Sequence, residues 1–173
     1  VDLPGARTYH TSRWPWRGDL TAEKEPMDLV QARNVVAKEL DQVRADLTEE
    51  LEAEVPLIAS VSEHILKGGG KLVRPLLLLL SARLFGEVPP EAISLAVAIE
   101  YIHTASLLHD DVVDEAALRR GQPSANTLFG NKGSVLSGDF LFSRSFALLV
   151  RTGSLETLSR VAQCTTAMAK GEA

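Results

Sequence analysis

The 173-residue sequence has a single cysteine, no excess of basic residues and no uninterrupted long apolar run. Cys164 cannot form an intrachain disulfide, so we expect a reducing compartment. The net charge of −5 gives no support for nucleic-acid binding. The stretch PLLLLLSARLF is interrupted by Ser81 and Arg83 before it reaches the roughly 18 apolar residues of a membrane span. We therefore expect a cytoplasmic protein without a transmembrane segment, which contacts membranes at most peripherally.

Strand-like alternation of apolar and polar residues is also absent, and helical spacing replaces it from Met27 onward. The fold class is predicted to be all-α. A loop with at most one helical turn is expected over residues 119–133. The segment KGGGK is expected to end a helix, and EVPPEA is expected to be a loop. Helices are predicted over 28–51, 55–66, 75–85, 90–114, 134–151 and 154–170.

Residues 1–26 differ from the rest, with three prolines, two glycines, both tryptophans and no sustained period. We expect Met27 to be the native start and the upstream stretch to derive from cloning. A native, loosely packed arm is the alternative.

The sequence LLHDDVVDEAALRRG places three aspartates at the end of the longest predicted helix. At about 100° per residue, His103, Asp110 and Asp114 share one stripe of that helix, and Asp111 is turned aside. Like charges at this spacing repel, and a bound cation would remove the repulsion. Two carboxylates one turn apart suit Mg²⁺, which completes its coordination with water and phosphate oxygens. Alone, however, such an acid cluster is more often a solvated surface.

The segment GGGKLVRP places Lys71 and Arg74 after three glycines, at the entry of a helix. Backbone amides, a helix N-terminus and two cations together can bind an anion. The alternative is an ordinary helix end followed by a charged helix start. Arg119 and Arg120 follow the acids. Two diphosphates, one held through a metal and one held by cations, would explain the whole set.

Three segments, GGGKLVRP, IEYIHTASLLHDDVVDEAALRRGQPSAN and GDFLFSRSFALL, resemble the trans-isoprenyl diphosphate synthase family, and specifically its long-chain polyprenyl members. The resemblance covers roughly residues 30 to 173. It implies a bundle of antiparallel helices around a deep cavity, a homodimer, and condensation of an allylic diphosphate with isopentenyl diphosphate.

The resemblance also implies a role for each site residue. Asp110 and Asp114 resemble the Mg²⁺ ligands of the family's first aspartate-rich motif, with Asp111 supporting them. Arg119 matches the arginine that contacts the allylic diphosphate. The residues that match the isopentenyl diphosphate pocket are Lys71, Arg74, His103 and Arg120.

Two small residues, Ala105 and Ser106, lie five and four positions before Asp110. Small side chains one turn below the metal site would leave a cavity open, which resembles synthases with long-chain products. Close packing between helices is the alternative reading of the same residues.

The sequence departs from the family in one respect, since no second aspartate-rich motif follows Asp114. We expect the chain to be the N-terminal half of the bundle, truncated, completed by another chain in a split enzyme, or retained as a remnant. A second copy or a complementary C-terminal half is therefore the expected protein partner.

Two other functions remain open. The His109–Asp110 pair is typical of metal-dependent phosphohydrolases, but His64 and His103 lack the spacing that this chemistry requires. The other alternative is a non-catalytic diphosphate-binding or regulatory subunit of a split or heteromeric synthase.

Overall fold

The structure is a computed structural model, and it describes residues 28–49, 55–67 and 70–172. The predicted tail over residues 1–26 and the proposed start at Met27 lie outside the described residues. The elements are α1 (Leu29–Val35), α2 (Ala37–Glu49), α3 (Pro56–Lys67), α4 (Val73–Arg83), α5 (Pro90–Val113), β1 (Leu118–Arg119), β2 (Gln122–Pro123), α6 (Ala125–Arg151) and α7 (Leu155–Glu172).

The prediction of an all-α fold is confirmed, and α5 is its central helix. It packs most extensively against α6, and α2 and α4 also lie against it. Its middle turns bury Ala96, Val97, Ala98 and Tyr101, so the helix is enclosed on several sides. The buried hydroxyl of Tyr101 donates to the carbonyl of Leu47 at 3.0 Å, which satisfies the one polar atom of this side chain.

Close approach of α6 to α5 is possible because the buried face of α6 carries small residues. Ser134, Ser137, Gly138 and Ser145 are all buried there. At Gly138 the imidazole of His109 occupies the space that a side chain would need, with Nε2 only 2.3 Å from an ideal Cβ position. The α5–α6 interface therefore requires a glycine at this position.

Three boundaries differ from the sequence prediction. The first predicted helix is interrupted at Val36, whose φ of −128° and ψ of 30° separate α1 from α2. The last long loop is shorter than expected, because α6 begins at Ala125 and continues through a kink at Gly130, where φ is +76°. Residues 118–123 form a two-stranded antiparallel hairpin, although the sequence showed no strand pattern.

Among the described residues, two helices, α5 and α6, have the length and composition of a membrane span. The fold buries 56% of the most apolar window of α5 and 44% of that of α6. Several large apolar residues between 134 and 170 are exposed; they include Leu136, Phe146, Val150, Leu155 and Met168.

Candidate functional site

The C-terminal end of α5 presents two acids on one side of the helix. Asp110 is half-buried, and Asp114 is exposed and caps the helix. Burial raises the pKa of Asp110, and the negative charges of Asp114 and Asp111 raise it further, while Arg119 and His109 oppose the shift. The repulsion expected from the sequence is therefore present, and a cation between Asp110 and Asp114 would relieve it.

The third acid, Asp111, has a different environment. It is 2% exposed and is bound by Arg119, whose Nε donates to Oδ1 at 3.0 Å and to Oδ2 at 2.8 Å. Nη2 of Arg119 donates to Oδ1 at 2.8 Å. This fork geometry is the strong form of an ion pair. It raises the pKa of Arg119, chiefly through the hydrogen bond to Asp111. Asp111 thus orients Arg119.

The β1–β2 hairpin carries both arginines of the RRG segment. Arg120 and Gly121 form its turn with φ values of +51° and +79°, which are the positive angles of a two-residue hairpin turn. Arg120 therefore adopts a left-handed conformation that is unusual for a residue other than glycine. Nε2 of His64, on α3, donates to the carbonyl of Pro123 at 3.0 Å and anchors the second strand.

The other cationic segment precedes α4. Leu72 has a left-handed φ of +47°, and α4 begins directly after it. Lys71 and Arg74 are exposed on either side of this bend. The guanidinium group of Arg33, on α1, donates to the carbonyl of Lys71, so a neighbouring helix holds the segment in place.

The charges of both cationic segments act on His103. Burial, together with the positive charges of Arg74, Arg120 and Arg119, lowers the pKa of His103 to about 4. Arginines from α4 and from the hairpin therefore act on one imidazole of α5. A ring with so low a pKa is uncharged at neutral pH and can offer a hydrogen bond but no charge.

A cleft of about 480 Å³ lies between α3, α5 and the hairpin. Its walls combine apolar and charged groups, as expected for a ligand site. The residues that line it include His64, Ile65, Leu107, Asp111, Arg119 and Arg120.

The structure thus brings together most of the predicted residues. Asp110, Asp111, Asp114 and Arg119 lie together at the end of α5, and Arg74 and Arg120 lie near enough to His103 for their charges to lower its pKa. Lys71 lies on the same segment as Arg74. Over the described ranges, no group of three His, Cys, Asp or Glu side chains has the arrangement of a metal site. A metal would have only the two carboxylates of Asp110 and Asp114.

The two proposed chain-length residues differ in burial. Ala105 is fully buried, whereas Ser106 is half-buried and donates to the carbonyl of His103 at 2.8 Å. Ser106 lies on the open side of α5, one turn before Asp110. Their effect on product length stays a prediction.

Two residues of the site were not predicted from the sequence. His64 was given no role, because its contact with Pro123 spans 59 positions and requires the hairpin. Glu100 is 7% exposed and lies one turn before His103. An acid in the middle of the apolar segment AVAIEYI was a visible signal, because an acid is rarely buried without a partner.

Comparison with known proteins gives a consistent result. The family model described as Polyprenyl synthetase matches residues 55–173. Octaprenyl diphosphate synthase of Haemophilus influenzae is 41% identical over 150 residues, which are 87% of this chain and 46% of that protein.

Two solved structures have the same fold. A decaprenyl diphosphate synthase from Rhodobacter capsulatus matches with a TM-score of 0.80 and 44% identity, over 83% of this chain and 44% of that one. A polyprenyl synthase from Caulobacter crescentus CB15, complexed with calcium and isoprenyl diphosphate, matches with a TM-score of 0.81 and 38% identity, over 86% and 45%. The chain therefore spans a little under half the length of these relatives.

Proposed function

The chain belongs to the polyprenyl synthetase family, and on this premise we propose that the whole protein is a prenyltransferase. It condenses isopentenyl diphosphate with an allylic diphosphate to give a long-chain all-trans polyprenyl diphosphate. The observation that best supports this proposal is the convergence on α5 of an acid pair, Asp110 and Asp114, with arginines from two other elements. The long product is proposed because the relatives described above include octaprenyl and decaprenyl diphosphate synthases.

Asp110 and Asp114 fit a magnesium ion. Asp110 is an acid whose pKa is raised by burial and by neighbouring acids, so its charged form gains from a cation. Mg²⁺ commonly takes one or two protein carboxylates and fills its other positions with water and phosphate oxygens. When bound, the ion would supply positive charge to the diphosphate of the allylic substrate. Asp111 contributes indirectly, by holding Arg119.

Arg119 is proposed to bind the allylic diphosphate. A guanidinium group has five N–H donors, and the bonds to Asp111 use only those on Nε and one on Nη2. The remaining donors are available to a phosphate, while the pairing keeps the group in one orientation. Because Asp111 and Arg119 both line the cleft, a diphosphate there meets a preoriented cation.

Isopentenyl diphosphate is proposed to bind beside the segment that precedes α4. Lys71, Arg74 and Arg120 supply positive charge, and neutral His103 supplies a ring N–H. The low pKa of His103 supports its role as a neutral donor, because the same arginines that would hold the diphosphate keep the ring uncharged. A bound diphosphate would offset those charges and raise the pKa of the ring.

The proposed reaction needs no nucleophile from the protein. The bond between the allylic carbon and its diphosphate oxygen breaks, and Arg119 stabilises the negative charge that develops on the leaving group. The double bond of isopentenyl diphosphate attacks the allylic cation, and a proton is then lost to the released diphosphate. Ala105 and Ser106 are proposed to leave space for the growing chain.

Prenyl transfer by the whole protein tests this proposal. The assay supplies farnesyl diphosphate, labelled isopentenyl diphosphate and Mg²⁺, and separates the products by chain length. We expect Asp110→Asn to lower the rate by about 100-fold or more, because it removes one of the two carboxylates that would hold the cation stabilising the leaving diphosphate. The matched control is Glu91→Gln at the start of α5, which also removes one negative charge but lies in the first turn of the helix.

A wild-type protein that forms no prenyl product under these conditions would overturn the proposed function. An Asp110→Asn variant that retains wild-type activity would overturn the assignment of the metal ligands. A product no longer than the primer plus one isoprene unit would overturn the long-chain assignment.

A further inference from the structure

Glu100 is a buried acid to which the proposed reaction assigns no role. It lies in the middle of α5, and only 7% of it is exposed. Its Oε2 atom has no hydrogen-bond partner among the described residues. Burial is the main reason why the pKa of Glu100 is raised. A buried, unpartnered carboxylate oxygen is costly, so its retention in the core requires an explanation.

The position of Glu100 suggests that explanation. Its Oε1 atom would be 3.6 Å from a Cβ placed on Gly70, so the carboxylate lies beneath the segment that leads into α4. The positive charges of Arg74 and Arg120 act on Glu100 and lower its pKa against the effect of burial. The same two arginines act on His103, one helical turn further along α5.

Arg74 and Arg120 come from different elements, α4 and the hairpin, and their like charges repel each other. A carboxylate buried near both reduces that repulsion and favours positions of the guanidinium groups close to α5. An apolar residue such as leucine would pack in the same space without attracting either arginine. Packing alone therefore does not account for an acid at this position.

We propose that Glu100 is a positioning residue of the diphosphate pocket, which holds the guanidinium groups of Arg74 and Arg120 beside His103. Its Oε2 atom, which has no partner among the described residues, is available to accept a hydrogen bond from one of these groups. This inference rests on the proposed function, since it assigns the pocket of Arg74, His103 and Arg120 to a diphosphate.

A double-mutant cycle in the whole protein tests the inference. The variants are Glu100→Gln, Arg74→Gln and the double substitution, with Glu91→Gln as the control for charge. Binding of inorganic diphosphate is measured by calorimetry, and the KM for isopentenyl diphosphate is compared with the KM for farnesyl diphosphate. Unfolding temperature is recorded for every variant.

We expect Glu100→Gln to weaken diphosphate binding by about tenfold, because the amide keeps the shape but not the charge that holds the arginines. The KM for isopentenyl diphosphate should rise more than the KM for farnesyl diphosphate. In the Arg74→Gln background, the same substitution should change binding by no more than about twofold, since a residue that acts through Arg74 has lost most of its target. Glu91→Gln should bind as the wild type does.

Unchanged diphosphate binding in Glu100→Gln would overturn the inference and leave the proposed function intact. Fully additive effects with Arg74→Gln would also overturn it, because Glu100 would then act independently of Arg74. If Glu100→Gln does not fold, Glu100→Asp and its double variant take its place, with a smaller loss and the same non-additivity expected. Failure of the wild-type protein to bind diphosphate at all would overturn both the inference and the proposed function.

Discussion

The two buried acids of α5, Asp111 and Glu100, are stabilised very differently. Asp111, at the end of the helix, accepts three hydrogen bonds from Arg119. Glu100, in the middle of the helix, lies near two arginines, but its Oε2 has no partner within the described part of the chain. The pair between Asp111 and Arg119 fixes local structure. The cluster at Glu100 leaves Oε2 able to accept a further hydrogen bond.

The same contrast extends to the two sides of α5. The side that faces α6 is tightly packed, as Gly138 against His109 shows. The side that carries His103, Ser106, Asp110 and Asp114 is half-buried or exposed. Substitutions on the packed side should therefore reduce stability, and substitutions on the open side should chiefly change the response to ligands or pH.

The largest effect is expected from Asp111→Asn. The amide cannot neutralise Arg119, and a half-buried guanidinium group would lose its partner, at a cost of about 2–3 kcal/mol in the free energy of unfolding. Urea unfolding at pH 7 measures this loss. Asp114→Asn is the matched control, because Asp114 is exposed and its substitution should stay within about 0.5 kcal/mol. Equal losses in both variants would show that the ion pair is not what distinguishes Asp111.

A somewhat smaller effect is expected from Gly138→Ala. The new methyl group would lie 2.3 Å from Nε2 of His109, and that ring is confined by stacking on Phe142 with a centroid distance of 6.1 Å. Displacement of the ring should cost about 1–3 kcal/mol in the free energy of unfolding, measured by urea titration. Gly171→Ala is the control, since nothing lies within 4 Å of its Cβ position and alanine favours the helix.

The same substitution, Gly138→Ala, measured in a His109→Ala background can contradict this prediction. If the clash with His109 is the cause, Gly138→Ala should no longer destabilise a protein that already lacks the imidazole. A loss of the same size in the His109→Ala background would mean that the helix backbone of α6, rather than the ring, resists the methyl group.

Sequence reasoning predicted the family better than the contacts between distant residues. The motifs predicted the family, which the family-model match confirms, and helical spacing placed Asp110 and Asp114 on one stripe. The hairpin was missed because its turn uses Arg120 and Gly121, and arginine gives no signal for a positive φ. The early start of α6 was missed because Gly130 interrupts the periodicity at the kink.

Contacts between distant segments explain the remaining differences. The pairing of Asp111 with Arg119 depends on the hairpin that returns the chain toward α5, and the site of Glu100 depends on how Gly70 crosses above that helix. Neither arrangement follows from local spacing. Both depend on the packing of elements, which periodicity does not specify.

The smallest effect is expected on the open side of α5, as a dependence of stability on pH. Burial and the charges of Arg74, Arg120 and Arg119 lower the pKa of His103 to about 4, whereas an unfolded histidine titrates near 6.5. Between these values the unfolded chain binds a proton that the folded chain does not. The free energy of unfolding should therefore fall as the pH decreases from about 6.5 to 4, by on the order of 1 kcal/mol because solvent reaches the half-buried ring.

His103→Gln should lack this part of the pH dependence, while the carboxylates titrate alike in both proteins. The measurement is the difference in unfolding free energy between wild type and variant, which should be constant above pH 7 and change below pH 6.5. A difference that is constant from pH 7.5 to 4 would mean that neither burial nor the arginines lower the pKa of His103. The imidazole would then be a solvated group, and the contrast between the middle and the end of α5 would rest on Glu100 and Asp111 alone.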